Sequence, residues 1–141
     1  MVTTAVYRNS VAYNIASSNT DFQGTDFGTK VFDGIGLVHN YDGTNYKHTF
    51  TVPDDGVYLI HAFMNFQGGA SNQQVLYGRL DVNDVEQSRQ SKFIGSYAGA
   101  DFIFLNEMHS GDKMCFTVFQ NSGNTIQTAG GCRLNIIRIR N

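Results

Sequence analysis

Residues 50–66 read FTVPDDGVYLIHAFMNF, and this stretch decides the fold. Pro53 and Gly56 mark a turn, because proline fixes φ and glycine accepts positive φ. β-Branched and aromatic residues dominate the positions that follow, which predicts a strand rather than a helix. Side chains of a strand alternate between two faces, and the two sets here are Val57, Leu59, His61 and Phe63 against Tyr58, Ile60, Ala62 and Met64.

Both faces of this predicted strand are apolar. An antiparallel sheet in a small single domain usually has one face in the core and the other in water. A strand that is apolar on both faces therefore needs two covers. We expect the core of the domain to cover one face and a second copy of the same protein to cover the other.

The composition fits one β-rich globular domain. The 141 residues are enough for a core without disulfide staples, and 11 Phe and 7 Tyr accompany only 16% charged residues. A net charge of -2 gives no electrostatic footprint for nucleic acid or an anionic membrane. No segment is long and apolar enough for a membrane span, so we expect no membrane insertion. The N-terminus lacks a signal-peptide pattern, so export would need another route or an upstream segment.

Strand patterns recur along the chain, separated by turn signals, and no convincing helix pattern is present. Besides 57–66, the predicted strands cover residues 4–7, 11–16, 29–33, 47–52, 75–81, 85–89, 93–97, 100–105, 114–119 and 133–139. Residues 82–84 are the predicted turn of a hairpin, and 120–131 form a predicted polar loop. The prediction is one all-β domain over 1–141, in which residues 1–10 could form an N-terminal arm.

The sequence offers no catalytic or cofactor-binding motif. It lacks a GxSxG nucleophile elbow, an HExxH zinc motif, a GxxxxGK(S/T) phosphate loop and a CxxC redox pair. Its carboxylates are scattered, mostly in turns, and no pair can be assigned to one cleft. We therefore predict that the protein is not an enzyme and has no catalytic residue and no resident cofactor.

Cys115 and Cys132 are too few for a disulfide framework. Buried free thiols are the favoured interpretation for both cysteines, because isolated cysteines in strands usually pack as small apolar groups. A disulfide between them stays an alternative.

Residues 50–60 resemble the strand-turn-strand signature of a known jelly-roll superfamily. This superfamily unites the globular head of complement component 1q with the tumour necrosis factor cytokines, and both have a strand followed by a Pro-x-x-Gly-x-Tyr turn. Further segments are similar in the same order along the chain, namely 31–33 with 39–42, 111–114 and 134–137. The Asn/Thr-rich loops and the Tyr-Asp-Gly sequence at 41–43 look more like the bacterial and bacteriophage members.

The resemblance implies a two-sheet antiparallel jelly-roll sandwich that associates as a threefold homotrimer. The terminal strand, the central strand and the strand that contains Phe102 would line the axis. The family's register then implies a trimer interface made by Leu59, His61, Phe63, Ile103, Leu105 and Ile137.

Some polar residues allow more than one interpretation. His61, repeated three times near an axis, could ligate a metal or act as a pH switch, but a packed, hydrogen-bonded histidine is favoured. Asp81, Asn83 and Asp84 are similar to part of a calcium loop, but a hairpin turn is favoured because the glycine and terminal Glu of an EF-hand are missing. A surface calcium ion, the one metal considered, could take oxygen ligands from Asp33, Asp42 and Asn45.

Polar loops rich in Tyr, Asn and Gln suit the binding of sugars or protein epitopes. The candidate ligand-binding residues are Tyr41, Asp42, Tyr46 and Tyr97. The alternative is that these tyrosines only cover the ends of the sandwich.

The features together predict a non-enzymatic trimeric recognition module outside the cell or on a virion surface. Its partner would be a cell-surface glycan or a protein receptor, and it would be the binding head of a phage fibre or of an extracellular bacterial protein. Two alternatives stay open. One is a purely structural virion protein or trimerising cap, and the other is a secreted cytokine-like ligand.

Overall fold

The computed structural model describes residues 1–9, 12, 14–17, 23–24, 26–42, 47–67, 74–94 and 99–139. Within these ranges the chain forms β-strands and no helix. The strands are β1 (Val2–Arg8), β2 (Asn14–Ile15), β3 (Gln23–Gly24), β4 (Thr29–Asp33), β5 (Val38–Asp42), β6 (Lys47–Thr51), β7 (Gly56–Gln67), β8 (Gln74–Val82), β9 (Val85–Ile94), β10 (Gly99–Met108), β11 (Lys113–Gln120), β12 (Ile126–Thr128) and β13 (Arg133–Ile139).

The strands form two antiparallel sheets. The seven-stranded sheet has the order β2-β12-β7-β13-β1-β4, with β10 on the other side of β7. The six-stranded sheet has the order β5-β6-β11-β8-β9, with β3 added to β11. The all-β class and the two-sheet sandwich predicted from the sequence are therefore confirmed.

Most predicted strands are present, and β4 and β13 begin and end at the predicted residues. The first residues of the chain belong to the sandwich, because β1 pairs with β13 on one side and with β4 on the other. Of the predicted strand 11–16, only Asn14–Ile15 is a described strand, while residues 11 and 13 lie outside the described part.

Two local predictions are wrong. The predicted polar loop 120–131 contains β12, which pairs with both β7 and β2. Ile126 is its single large apolar residue, so the sequence shows no strand periodicity there. The predicted separate strand 93–97 is the end of β9 as far as Ile94, and residues 95–98 lie outside the described part.

The core lies between the two sheets. β7 contributes the set that contains Tyr58 and Ile60, and both side chains are fully buried. Phe102 of β10 is also fully buried and packs 5.5 Å, centroid to centroid, from Phe116 of the opposite sheet. The alternation predicted for the central strand is therefore confirmed, and its other set of side chains faces outward.

The turn before β7 is held by a buried arginine of the last strand. Arg138 donates from Nη1 to Oδ2 of Asp54 over 2.6 Å and from Nη2 to the carbonyl of Asp55 over 2.6 Å. Tyr58 donates its hydroxyl to the carbonyl of Asp54 over 2.8 Å. These contacts fix where β7 begins and thus which of its residues face outward.

Both cysteines are buried free thiols, as favoured from the sequence, and the disulfide alternative is wrong. Burial raises the pKa of the Cys115 thiol to about 12. Burial also raises the pKa of the Cys132 thiol, whose sulfur accepts the backbone N–H of Asn65 at 3.2 Å. Neither thiol is ionised near neutral pH.

Among the described residues, no helix is long and apolar enough to cross a membrane.

Candidate functional site

The outward side of the seven-stranded sheet carries large apolar side chains. Leu105 is 65% exposed and Ile103 is 53% exposed, whereas Phe102 and Phe104, which alternate with them on β10, are buried. Half-buried residues of β7 and β13 lie beside them. We call this surface the outer apolar face, and it consists of Val57, Leu59, Phe63, Ile103, Leu105, Ile137 and Ile139.

The strand register aligns these side chains in rows. Leu105 lies opposite Leu59 on the neighbouring strand, and Leu59 lies opposite Ile137 on the next. The following row places Ile103 opposite His61. Adjacent strands are roughly 5 Å apart, so the side chains of a row are in contact distance of one another. All six residues that the resemblance assigned to a trimer interface lie on this side of the sheet, and their contact with a second subunit stays a prediction.

His61 is the polar centre of the face. Nδ2 of Asn135 lies 3.1 Å from Nδ1 of His61, and Nε2 of His61 lies 2.5 Å from Oδ1 of Asp101. Because an amide nitrogen only donates, Nδ1 is the acceptor and Nε2 carries the proton that Asp101 accepts. Both ring nitrogens of His61 thus have a hydrogen-bond partner inside one protomer. This geometry supports the packed, hydrogen-bonded interpretation over a metal ligand.

The apolar surface extends beyond the six predicted residues. Val57 and Val2 both lie opposite Ile139, and Val2 is itself largely exposed. On the edge strand β4, the exposed Phe32 lies opposite Val6. These residues are not among the six predicted for the interface. The continued alternation along β7, β13 and β1 was the signal that could have found them.

The predicted ligand-binding residues are not brought together by the described structure. Tyr41 lies on strand β5 and not in a loop, which corrects the loop prediction, and it is 52% exposed. Its ring stacks on His48 with 4.5 Å between centroids. Asp42 ends β5 opposite Lys47. Tyr46 and Tyr97 lie outside the described residues, so their role in binding stays a prediction.

The Asp33 carboxylate is engaged by its own turn. Oδ1 and Oδ2 accept hydrogen bonds of 2.8 to 2.9 Å from the backbone N–H groups of Ile35, Gly36 and Leu37. The predicted calcium partner Asn45 lies outside the described residues, and a calcium ion here stays a prediction. In the described part of the chain, no three His, Cys, Asp or Glu side chains are grouped as metal ligands.

The second calcium candidate is a hairpin turn, as favoured from the sequence. Val82 pairs with Val85, and the two residues between them, Asn83 and Asp84, both have positive φ. Asp81 is paired with Arg79 at 2.8 Å, and Asp84 with Lys47 at 2.8 Å.

No family model and no curated protein matches the sequence. Solved structures do match the fold. The structure of Eiger TNF from S. frugiperda aligns with a TM-score of 0.66 at 9% identity, covering 99% of this chain and 94% of that one. Murine APRIL at pH 8.5 aligns with a TM-score of 0.67 at 12% identity, covering 99% of this chain and 100% of that one. The chain therefore has the jelly-roll fold of these TNF-family structures.

Proposed function

We propose that the protein is a non-enzymatic recognition module that works as a homotrimer and buries the outer apolar face between its subunits. The observation that carries this proposal is the exposure of Ile103 and Leu105, with Leu105 in register with Leu59 and Ile137 and Ile103 in the next row. In a lone protomer these side chains would remain in contact with water.

The energetics require the whole face to be covered. Fully burying an exposed Leu or Ile contributes about 1.5–3 kcal/mol, so Ile103 and Leu105, which are already partly covered, would contribute about 1–2 kcal/mol each. Association costs roughly 4–15 kcal/mol in lost translational and rotational freedom. Two residues cannot offset that cost, whereas a face spanning three strands on every subunit can. The trimeric number comes from the resemblance to the complement component 1q and tumour necrosis factor jelly rolls.

The proposed trimer presents three identical binding sites to one surface. Effective concentration then converts a weak single contact with a cell-surface glycan or protein receptor into firm attachment. Tyr41, Asp42, Tyr46 and Tyr97 are the proposed contact residues. The proposed setting is extracellular or on a virion, as the head of a phage fibre or of an extracellular bacterial protein.

A second candidate is a secreted cytokine-like ligand. The fold shared with Eiger TNF and murine APRIL favours it. Its target would be a protein receptor and not a glycan, so a binding screen separates the two candidates. A trimer that binds neither class would instead be a structural part of a virion.

The oligomer is tested by moving one charge onto the face. Leu105→Asp places a carboxylate on an exposed position, so the protomer core is untouched while the proposed interface would bury an unpaired charge. Light scattering on a sizing column should give a trimer for the wild type and a monomer for the variant. Val85→Asp is the matched control, because Val85 is 60% exposed at the β8–β9 hairpin on the other sheet, and it should remain trimeric.

Recognition is tested with the same proteins. The wild type and Val85→Asp should bind glycan arrays or cells alike, and Leu105→Asp should lose binding by at least tenfold because it has one site in place of three. Equal binding by the monomer and the trimer would contradict multivalent recognition. A trimeric Leu105→Asp would contradict the proposed interface.

A further inference from the structure

Four rings stack at the flank of the sandwich where β5 is the edge strand, and a fifth ring packs edge-on against them. The antiparallel register places His39 opposite Phe50 and Tyr41 opposite His48. Centroid distances are 4.5 Å for Tyr41–His48, 5.0 Å for His39–His48 and 4.8 Å for His39–Phe50. Tyr7 of the opposite sheet packs edge-on at the end of the stack, with its ring 4.6 Å from that of Phe50 and at 62° to it. Strand β5 is therefore attached to β6 through the ring of His39, which lies between His48 and the buried Phe50.

These histidines form a chain of hydrogen bonds with a buried carboxylate. Nε2 of His39 lies 2.7 Å from Nδ1 of His48, and Nε2 of His48 lies 3.2 Å from Oδ1 of Asp26. An ionised carboxylate only accepts, so Nε2 of His48 carries the proton that points to Asp26. Nδ1 of a neutral His48 then accepts the proton on Nε2 of His39. Both His48 and Asp26 are buried.

The hydrogen-bonded series of His39, His48 and Asp26 can take up one proton but not two. A proton added to His48 is balanced by the Asp26 carboxylate, and His39 then accepts through Nε2 with its own proton on Nδ1. A further proton on His39 leaves an N–H group on each side of the 2.7 Å contact and two positive charges side by side. The contact between the rings must then break.

We propose that the His39–His48–Asp26 chain is a pH-sensitive latch. It holds β5 against β6 near neutral pH, and β5 separates from β6 on acidification. The opening stays local because β5 is the edge strand of its sheet and pairs with β6. The exposed Val38 and Tyr41 of β5 would move with it.

The direction of the pH effect follows from the surroundings. Burial lowers the pKa of His48 below its ordinary 6.5, and His39 lowers it further while Asp26 opposes. Burial, followed by the charge of Lys30 on β4, lowers the pKa of His39. The opened hairpin thus binds more protons than the closed one. The latch therefore contributes its full stability above pH 6.5, the ordinary pKa of histidine. That contribution is lost as the pH falls from 6.5 toward the lowered pKa values of the two histidines.

The other titratable groups around the pair do not reverse this direction. Tyr7 faces His39 from β1 at 5.4 Å, and its pKa is raised to about 12, first by burial and then by Asp33, so it stays uncharged. Asp33 holds its own turn through three backbone amides. Tyr41 stacks on His48 through its ring. Among the described residues, Asp26 is the carboxylate that contacts the pair, through His48.

Hydrogen exchange of the wild-type protein tests the latch. Exchange in β5 and β6 is divided by exchange in β7 at each pH, which removes the intrinsic pH dependence of the chemistry. An opening that takes up one proton becomes about tenfold more frequent per pH unit. We expect the ratio to rise at least tenfold between pH 7 and pH 5. A constant ratio would overturn the proposal.

The variant His39→Phe keeps the ring between His48 and Phe50 and removes the second proton site. We expect the increase in the exchange ratio between pH 7 and pH 5 to be at least tenfold smaller in this variant than in the wild type. His109→Gln is the control, because His109 is exposed and takes no part in the hydrogen bonds or ring contacts of His39 and His48, and its profile should match the wild type. A wild-type rise in His39→Phe would overturn the proposal. The wild-type measurement decides the matter alone if the variant does not fold.

Discussion

At the scale of single residues, one glycine lets the two sheets pack closely. Gly78 of β8 faces the core opposite Phe102 of β10. A Cβ atom at position 78 would lie 2.4 Å from the Phe102 ring, well inside van der Waals contact. Phe102 is fully buried and cannot swing into solvent. The missing side chain therefore makes room for the aromatic centre of the core.

Gly78→Ala should destabilise the protein by about 1–3 kcal/mol, because the added methyl group overpacks a rigid aromatic contact. Gly130→Ala is the matched control, since nothing lies within 4 Å of a Cβ atom at position 130. Urea unfolding at one fixed protein concentration measures both. A Gly78→Ala protein as stable as the control would show that the sheets separate easily at this point.

Side-chain direction could be predicted from the sequence, but contacts between distant segments could not. Alternation along residues 57–66 predicted which side chains face the core, because side-chain direction in a strand is a local property. The contact of Gly78 with Phe102 and the contact of His48 with Asp26 join segments distant in sequence. No local pattern marks them. The loop placement of Tyr41 was wrong because polar neighbours hid a short edge strand.

At the scale of elements, the β8–β9 hairpin has a two-residue turn with positive φ at both positions, the geometry that matches the twist of paired strands. Asn83 also ties the hairpin to β11. Its amide donates to Oδ1 of Asp112 over 2.8 Å, and its oxygen accepts the backbone N–H of Lys113 at 3.0 Å. Asn83 thus helps to fix where β11 begins beside β8.

Asn83→Ala should cost about 1–3 kcal/mol, because it removes two hydrogen bonds and places a Cβ-bearing residue without a polar side chain at positive φ. Asp84→Gly is the comparison. It relaxes positive φ and removes only an exposed ion pair with Lys47, so it should change stability by less than about 0.5 kcal/mol. Thermal unfolding of both variants checks the difference. Equal stabilities would contradict the role given to the Asn83 side chain.

Elements with strong patterns were predictable, and short ones were not. β7, β10 and β13 are long, mostly apolar segments, and the residues predicted to face outward from them do so in the structure. β12 has three residues and owes its existence to pairing with β7 and β2, which only the folded chain supplies. β5 was hidden by the turn signal that follows it.

At the scale of the whole molecule, a contact between β9 and β10 joins the two sheets along one flank, and the outer apolar face is left exposed. The side-chain amide of Gln90 on β9 donates to the carbonyl of Ile103 and accepts its N–H at 3.3 Å, so it bridges the edges of the two sheets. This contact occupies backbone groups of the edge strand β10, which would otherwise invite strand addition. The outer apolar face then remains as the large surface for a neighbour.

The native mass of the wild-type protein tests the central claim most directly. Sedimentation equilibrium in the micromolar range should give three times the chain mass of 15.6 kDa, because the face on β7, β10 and β13 is too apolar to remain in water. A mass of 15.6 kDa throughout that range would contradict the account.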